Sequence, residues 1–386
     1  MKQTVFNACD LLDTLQANSL LSGKRLGLLT NVSGVTRDLQ KTSVCLSQMY
    51  HLCALFSPEH GLSGVQQAGG FDSDVFVDPQ TGAPVYDLYG NKDGFQTAQK
   101  ALQDLDMLLF DIQDIGIRYY TYQHTMLDAM KLCADVGIPF VVLDRVNPLG
   151  GVSVQGSCME DDCLSDVGSV PGQPVVSGMT VGELALWYKD LFCPGLQVHI
   201  LHCKGWKREY TFDNTDLLFV PPSPNMPTME TVFLYSGTCL FEDTNISEGR
   251  GTTKPFEQFG APWLNTEKVI SVLCDLPEDA RKNFDGLVFR PCEFMPTFSD
   301  YTGEVCKGMQ LHIRDKQNVN MYATVLYLFD VMRKVHPEEF TLDSNLPLLA
   351  GTKRILADDF NVSAFLEEQA EKCKEFAKMR KQYLLY

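Results

Sequence analysis

The chain has 386 residues, of which 32 are basic and 49 are acidic, so its net charge is −17. So acidic a surface argues against nucleic acid or an anionic membrane as a partner, because binding to either depends on Lys and Arg. No apolar run approaches the ~20 residues that cross a bilayer, so we predict no membrane insertion.

The N-terminal segment is more typical of an amphipathic helix than of a signal peptide, because Asp10 and Asp13 interrupt its apolar residues. The 13 cysteines are odd in number, and Cys53, Cys133 and Cys239 lie inside apolar runs. This pattern favours free thiols in a reducing compartment over a disulfide framework. We therefore expect a cytoplasmic protein. A secreted or periplasmic protein that has lost its signal peptide is the alternative.

The first 150 residues alternate predicted strands and helices. Four continuously apolar runs, typical of strands buried on both faces of a parallel sheet, lie at 25–31, 51–58, 107–113 and 138–144. Helical patterns lie between them, at about 36–49, 93–105 and 120–136. Residues 63–92 carry turn signals and are predicted to cross the edge of the sheet. The alternation predicts a doubly wound, mostly parallel α/β sheet.

The pattern changes after about residue 150. Thr180 and Glu183 form a capping box that predicts the start of a helix. A proline-rich corner at 220–228 leads into another helix, and later strands and helices alternate in an α+β arrangement. We therefore predict an α/β domain over residues 1–160 and a smaller α+β domain over residues 161–386.

Polar side chains follow each of the four predicted strands. Open parallel sheets bind ligands at this edge, outside the carboxyl ends of their strands. The side chains are Asn31, Glu59, His60, Asp111, Gln113, Asp114, Asp144, Arg145 and Asn147. Together they predict a cleft lined with carboxylates. A second segment, 244–263, places Glu248 and Arg250 among glycines that permit close approach of a ligand.

Several site classes lack their sequence signals. The chain has no glycine-rich nucleotide fingerprint after its first strand, no phosphate-binding P-loop and no nucleophile elbow. In the segment HILHC, His199 and Cys203 share one face of the predicted strand while His202 points away. A structural role for these residues is favoured over metal binding. We therefore predict neither a cofactor nor a metal.

Six segments carry a resemblance to a known family. They are FSPEHG (56–61), FDIQDIGIRYYTY (110–122), VLDRVNPLGG (142–151), VPPSPNMPT (220–228), SEGRGTTKPFEQFGAPW (247–263) and QYLLY (382–386). In this order they resemble a bacterial family of exo-acting β-N-acetylmuramidases, over about residues 20–386. The resemblance implies a Rossmann-like domain with a smaller C-terminal α+β domain. It also implies release of N-acetylmuramic acid from the non-reducing ends of peptidoglycan fragments, including muropeptides, in cell wall recycling.

The resemblance assigns roles to particular residues. Glu59 becomes the main catalytic candidate, with His60 beside it and Glu248 as the second carboxylate. Glycoside cleavage needs such an acid and usually a second carboxylate across the sugar, in a retaining, inverting or substrate-assisted route that the sequence leaves open. The candidate substrate-binding residues are Asn31, Gln113, Asp114, Arg118, Tyr120, Tyr122, Asp144, Arg145, Asn147, Asn225 and Arg250.

Muramic acid carries a lactyl carboxylate, which the arginines of the motif segments are expected to bind. Arg118, Arg145 and Arg250 all lie inside the motif segments, and guanidinium groups bind carboxylates well. Tyr120 and Tyr122 are expected either to contact the sugar ring or to pack in the core.

The chain departs from the family pattern at a few positions. Gln155 replaces an acidic residue, Val176 and Ser177 replace an Arg-His pair, and Ser63 replaces a basic residue. These departures motivate two alternatives, which are a non-catalytic muropeptide-binding protein and a hexosaminidase with an altered sugar preference. A different α/β hydrolase with a carboxylate base is a further alternative. The sequence leaves the oligomeric state open.

Overall fold

The computed structural model describes residues 2–67, 69–70, 75–89 and 92–386. The strands in this part of the chain are β1 (Arg25–Thr30), β2 (His51–Ser57), β3 (Phe76–Val77), β4 (Pro84–Asp87), β5 (Met107–Asp111), β6 (Phe140–Leu143), β7 (Gln155–Cys158), β8 (Pro174–Val176), β9 (Val198–Leu201), β10 (Gln258–Ala261), β11 (Leu287–Phe294) and β12 (Cys306–Ile313).

The α-helices of the described residues are α1 (Leu15–Leu21), α2 (Thr42–Met49), α3 (Lys92–Leu102), α4 (Tyr122–Val136), α5 (Val181–Phe192), α6 (Met229–Thr238), α7 (Thr266–Cys274), α8 (Glu278–Arg281), α9 (Met321–Val335), α10 (Leu346–Ala350) and α11 (Val362–Met379). Short 3-10 helices join some of them, including Cys239–Asp243 directly after α6. None of the described helices is both long and apolar enough to span a bilayer.

A seven-stranded sheet organises the N-terminal part, in the order β3-β4-β2-β1-β5-β6-β9. All neighbouring strands are parallel except β3, which runs antiparallel to β4. The four apolar runs form β1, β2, β5 and β6, as the sequence predicts. The mixed α/β class with a mostly parallel sheet is therefore confirmed.

Successive side chains of the sheet pack against two different layers. Phe56, Phe110 and Val142 point into a large hydrophobic cluster that continues into the C-terminal helices. Leu55 and Leu109 point the other way, into a smaller cluster with the N-terminal segment. Burial on both faces explains why these strands are continuously apolar.

The sheet extends past the predicted boundary at residue 160, because its edge strand β9 follows α5. The change of pattern after residue 150 comes instead from a two-stranded antiparallel ribbon, β7–β8, inserted between β6 and α5. Helix α5 begins as predicted, since Thr180 accepts a hydrogen bond from Glu183 N and Glu183 closes the capping box. Part of the predicted excursion at 63–92 lies outside the described residues, and the rest adds β3 and β4 to the sheet edge.

The C-terminal part contains a three-stranded antiparallel sheet, β10-β12-β11. Helix α7 packs against β11, β12 and α9, while α9 also packs against α6, and α11 packs against β7. The last residues return to the large sheet, where the Tyr386 hydroxyl donates to Asp144 Oδ2 (2.7 Å). The core cluster shared by both sheets and the C-terminal anchor fix the two parts of the chain against each other.

Candidate active site

A cavity of about 150 Å³ lies where the two parts of the chain meet. Its walls come from the loop after β2, the segment before α4, the proline-rich corner before α6, and the 3-10 helix Cys239–Asp243 with the loop that follows it. The ionisable or polar side chains in these walls include Glu59, His60, Tyr89, Tyr120, Asn225, Glu242 and Arg250. A larger cavity of about 490 Å³ elsewhere is lined by described residues that include no carboxylate.

Glu59 is held in one orientation at the wall of this cavity. Its side chain is only 7% exposed. Oε1 accepts a hydrogen bond from Gly69 N (2.7 Å), and Oε2 accepts one from Thr121 Oγ1 (2.6 Å). Tyr89 lines the same cavity, and burial, together with the nearby charge of Glu59, raises the pKa of its phenol. The second strand therefore delivers an oriented acid to the cavity, as the sequence predicts for this edge of the sheet.

His60 follows in a conformation that is unusual for a residue with a side chain. Its φ is 71°, in the left-handed region, and its Nδ1 lies 2.8 Å from the Gln66 carbonyl oxygen. His60 N also donates to the Gly70 carbonyl (2.8 Å). Backbone strain of this kind persists only where the surroundings enforce it, and it concentrates at functional sites. The same loop therefore fixes His60 beside Glu59.

Arg250 brings positive charge to the cavity and is held by two acids. Its Nη1 lies 2.9 Å from Glu242 Oε2 and 3.4 Å from Glu248 Oε1, and its guanidinium lies 5.0 Å from the centre of the Phe256 ring. Glu248 is 1% exposed and does not line the cavity. Burial raises its pKa to about 7. The second carboxylate at the cavity wall is therefore Glu242, whereas Glu248 lies behind Arg250.

Glu242 is the residue that the sequence reasoning missed. It lies five residues before the motif segment 247–263, in a 3-10 helix rather than in the glycine-rich loop. The available signal was the acidic pair Glu242-Asp243 directly after a strongly apolar helix. Such a pair is also typical of an ordinary surface turn, so the pattern alone does not distinguish the two.

The two candidate tyrosines differ in their position relative to the cavity. Tyr120 lines the cavity, and its ring packs edge-on against Tyr122 (4.9 Å between centroids) and Tyr235 (6.0 Å). Tyr122 is buried and donates its hydroxyl proton to the Pro222 carbonyl (2.7 Å). Tyr122 is thus a core residue that orients the proline-rich corner. Asn225 of that corner lines the cavity, and its Nδ2 donates to Gln67 Oε1 (3.1 Å).

Two of the three candidate arginines are buried away from the cavity and bind other groups of the protein. Arg118 is buried and donates to the carbonyls of Ser157 (2.7 Å), Gln173 (2.9 Å) and Leu349 (2.7 Å). Arg145 is buried in a bidentate pair with Asp111, with N···O distances of 2.6 and 3.0 Å. Neither lines the cavity, so the structure leaves Arg250 as the guanidinium available to an anionic ligand there.

The remaining amide candidates form internal hydrogen bonds and do not line this cavity. Asn31 Nδ2 donates to the Pro222 carbonyl (3.0 Å), Gln113 Nε2 to the Val146 carbonyl (3.1 Å), and Asn147 Nδ2 to the Met179 carbonyl (2.8 Å). Each amide joins two loops at the edge of the sheet. These residues support the site without lining it.

Asp114 and Asp144 are also internal. Burial raises the pKa of each to about 6. Asp114 Oδ2 accepts from Gly116 N (2.6 Å), while Asp144 accepts from Thr180, Gly182 and Tyr386. Asp144 therefore anchors the C-terminus and the start of α5, and the structure places it away from the cavity.

The positions that depart from the family pattern lie outside this cavity. Gln155 and Val176 line a separate cavity of about 160 Å³. The Ser177 carbonyl accepts a hydrogen bond from Arg380, and Ser63 is exposed. The departures therefore do not change the described walls of the Glu59 cavity.

The HILHC residues do not assemble into a metal site. His199 and His202 are exposed, and the buried Cys203 thiol donates to the Asp144 carbonyl (3.2 Å). Potential ligand atoms of Glu160, Asp162 and Cys163 do lie within 4.8 Å of one another. However, Lys353 Nζ already pairs with Asp162 (2.9 Å). A lysine in that position competes with a cation, so the structure gives this cluster no functional assignment.

The cavity holds an oriented carboxyl group, a second carboxylate and a guanidinium, and two carboxyl groups are what most glycoside hydrolases use. Two family models match this chain. "Exo-beta-N-acetylmuramidase NamZ, N-terminal" matches residues 26–230, and "Exo-beta-N-acetylmuramidase NamZ, C-terminal" matches residues 233–386. The chain belongs to the NamZ family of exo-β-N-acetylmuramidases. The two models divide it just after the proline-rich corner, well beyond the predicted boundary.

Comparison with individual proteins supports the same family assignment. The chain is 40% identical over 373 residues to the peptidoglycan β-N-acetylmuramidase NamZ of Bacillus subtilis strain 168, across 95% of this chain and 88% of the relative. Two crystal structures of DUF1343 family proteins from Bacteroides fragilis NCTC 9343 have TM-scores of 0.87 and 0.77, with 31% and 27% identity. Each comparison covers 99% of both chains. They share the fold throughout.

Proposed function

We propose that this protein is an exo-β-N-acetylmuramidase that releases terminal N-acetylmuramic acid from the non-reducing ends of peptidoglycan fragments. The observation that carries the proposal is the cavity that Glu59 shares with Arg250 and Glu242. Family membership supplies the reaction, and the cavity supplies residues that suit it. The proposed substrates are the disaccharide of N-acetylmuramic acid and N-acetylglucosamine, and muropeptides that contain it.

Glu59 is the proposed proton donor to the leaving glycosidic oxygen. General acid catalysis requires a carboxyl group fixed within hydrogen-bond reach of that oxygen. The Gly69 N–H and the Thr121 hydroxyl fix this carboxyl group at the cavity wall. His60, held by its Gln66 contact, is proposed to limit the movement of the same loop.

Arg250 is the proposed receptor for the lactyl carboxylate of the sugar. Two acids share its charge, but the pKa of Glu248, about 7, leaves that acid partly protonated near neutral pH. Both ion pairs use Nη1 of Arg250, and its buried Nε has no hydrogen-bond partner, so the guanidinium keeps N–H groups that can donate to a further carboxylate. Charge-assisted pairing with a guanidinium is among the stronger hydrogen-bonded interactions in proteins. This arrangement supports recognition of a muramic sugar over the neutral N-acetylglucosamine.

The test compares chromogenic β-glycosides of N-acetylmuramic acid and N-acetylglucosamine, using kcat/KM for each. We expect the wild type to prefer the muraminide. Arg250→Lys should reduce that preference about 10- to 100-fold, the range for a lost charged hydrogen bond. A wild type that cleaves both glycosides equally, or an Arg250→Lys variant with an unchanged preference, contradicts the proposal.

The alternatives give different results in the same experiment. A non-catalytic muropeptide-binding protein shows saturable binding of the disaccharide by calorimetry, without released sugar. A hexosaminidase with altered preference cleaves the N-acetylglucosaminide at least as fast as the muraminide. Recovery of free N-acetylmuramic acid from the disaccharide, in contrast, supports the exo-acting muramidase.

We also propose that the protein acts in the cytoplasm, in the recycling of cell wall fragments. All 13 cysteines are free thiols in the structure, and nine of them are buried, which is typical of proteins folded in a reducing compartment. Fractionation of the producing cells, followed by detection with a specific antibody, tests this. Recovery of the protein outside the cytoplasmic fraction contradicts it.

A further inference from the structure

Phe256 is a large aromatic residue in a backbone conformation that usually belongs to glycine. Its φ is 60°, in the left-handed region, where the Cβ atom of an L-residue is crowded. In the segment 244–263, which the structure describes throughout, the other two positions with positive φ are glycines, Gly249 (85°) and Gly251 (76°). A glycine at position 256 would avoid the strain. The contacts of the ring give the reason for an aromatic side chain there.

Two hydrogen bonds hold the backbone of Phe256 in this conformation. Phe256 N donates to the Glu248 carbonyl oxygen (2.7 Å), and the Phe256 carbonyl accepts from Thr238 Oγ1 (3.0 Å). The first bond closes the loop that carries Arg250, and the second joins this loop to the last residue of α6. Backbone strain persists where the surroundings enforce it in this way. The backbone therefore fixes the direction of the Phe256 ring relative to the Arg250 loop.

The ring of Phe256 lies against the guanidinium of Arg250. The guanidinium carbon is over the ring, 5.0 Å from its centre. The ring also packs edge-on against Tyr235, with 4.7 Å between centroids and an angle of 89° between the planes. Phe256, Tyr235 and Arg250 all line the Glu59 cavity. Because Phe256 is only 1% exposed, its contact with the cation is shielded from water, which strengthens a cation–π interaction.

The ring contact complements the ion pairs of Arg250. Both pairs, to Glu242 and Glu248, engage the same nitrogen, Nη1, at one end of the guanidinium. Contacts through one nitrogen leave the planar group able to rotate about that end, whereas a ring against its central carbon restricts the rotation. An arginine side chain has much rotamer freedom to lose when it binds a ligand. A guanidinium that is already held in place loses less on binding.

We propose that Phe256 is a positioning residue for Arg250, and that the cation–π contact between them sets the preference of the site for an anionic sugar. This inference rests on the proposed role of Arg250 as the receptor for the lactyl carboxylate. Phe256 acts through Arg250, because its ring keeps the guanidinium in one orientation before the sugar binds. The contact therefore contributes to binding of the muraminide, which KM reports. It makes no contribution to the proton transfer from Glu59, which kcat reports.

The experiment replaces Phe256 in the full-length protein by mono-, tri- and pentafluorophenylalanine, through nonsense-codon suppression. Fluorination preserves the apolar character and approximate shape of the ring, but it withdraws the electron density of the negative face that attracts a cation. For the chromogenic β-N-acetylmuraminide, we expect KM to rise stepwise along the series, by about 2- to 30-fold in total, the range for a cation–π contact. The value of kcat should stay constant, and so should KM for the β-N-acetylglucosaminide.

The matched control is Phe140→pentafluorophenylalanine. Phe140 is a fully buried ring in β6 that packs against Phe110, with 6.3 Å between centroids. This variant should keep the KM values of the wild type for both glycosides. The monofluorinated variant at position 256 differs from the wild type by one small atom, so the series yields a folded comparison even if the pentafluorinated protein does not fold.

Two results overturn the proposal. The first is a KM for the muraminide that stays constant or falls along the series, since a ring that only fills space is indifferent to its electron density. The second is an equal rise of KM for both glycosides, which identifies a general support of the cavity wall. Failure of the proposed function has a different signature, because it appears in the wild type or in Arg250→Lys. A preference that is lost in Arg250→Lys but constant along the fluorinated series contradicts only the role of Phe256.

Discussion

The substitution Glu248→Gln tests whether this residue is a buried partner of Arg250 or a cavity carboxylate. The pKa of Glu248 is about 7 in the folded protein, against an ordinary value of 4.5, and burial is the main cause. A carboxyl group whose pKa is higher in the folded state binds its proton more tightly there. The free energy of unfolding of the wild type therefore falls as the pH rises from about 4.5 to about 7, the two pKa values of Glu248.

The expected size follows from the same interval. Each unit of difference between the pKa in the folded and unfolded states corresponds to about 1.36 kcal/mol. Ionised Glu248 therefore destabilises the fold by about 3 kcal/mol. The amide side chain of the variant has no proton to lose and escapes this cost. The free energy of unfolding of Glu248→Gln, minus that of the wild type, should thus increase by about 3 kcal/mol between about pH 4.5 and about pH 7.5, and then stay constant.

The assay is urea denaturation at several pH values, followed by circular dichroism and by tryptophan fluorescence. Coincidence of the two probes is needed before a single free energy is extracted. Glu338→Gln, which changes an exposed glutamate, is the matched control and should show no such pH-dependent gain. A difference between Glu248→Gln and the wild type that is independent of pH, or that shrinks as the pH rises, refutes the assignment of Glu248 as a buried acid.

Further predictions concern the internal network at the sheet edge. Tyr386→Phe removes the hydroxyl that donates to Asp144 and accepts from Cys203 N, so we expect a loss of about 1–3 kcal/mol in urea denaturation; an unchanged midpoint would show that the C-terminus is not anchored there. Arg145→Met leaves Asp111 buried without its ion pair and should cost about 3–5 kcal/mol. Adding Asp111→Asn should recover part of that loss, and an additive double variant contradicts the pairing. Thr180→Ala removes the N-cap of α5 and a hydrogen bond to Asp144, with an expected loss of about 1–2 kcal/mol measured in the same way. Full stability of this variant contradicts the role of the cap.

Much of the fold could be predicted because burial on both faces leaves a clear pattern in sequence. The apolar runs of β1, β2, β5 and β6 are long enough to be recognised without any tertiary information. Strand β9 is different, since three of its four residues are partly or fully exposed at the sheet edge. Its segment was recognised as a strand, but its pairing with β6 depends on the return of the chain through α5. The sequence pattern alone therefore does not place β9 in the N-terminal sheet.

The candidate site was predicted less completely, for a related reason. The rule that open sheets bind ligands outside the carboxyl ends of their strands points to this edge of the sheet, and Glu59 and His60 line the cavity there. It does not say which polar residues turn inward. Asp111 and Arg145 are 34 positions apart and neutralise each other in the interior, which no local pattern reveals. Glu242 was missed because its role depends on an ion pair with Arg250 that forms only in the folded loop.

The most direct test of the account is the turnover of Glu59→Gln on a chromogenic β-N-acetylmuraminide. The substituted amide retains an oxygen that can accept from Gly69 N but has no acidic proton to donate to the leaving group. We predict a loss in kcat of about 10²- to 10⁴-fold, the range for general acid catalysis, with an unchanged circular dichroism spectrum. Glu338→Gln should keep full activity. A folded Glu59→Gln variant with the turnover of the wild type would contradict the central claim that Glu59 is the catalytic acid.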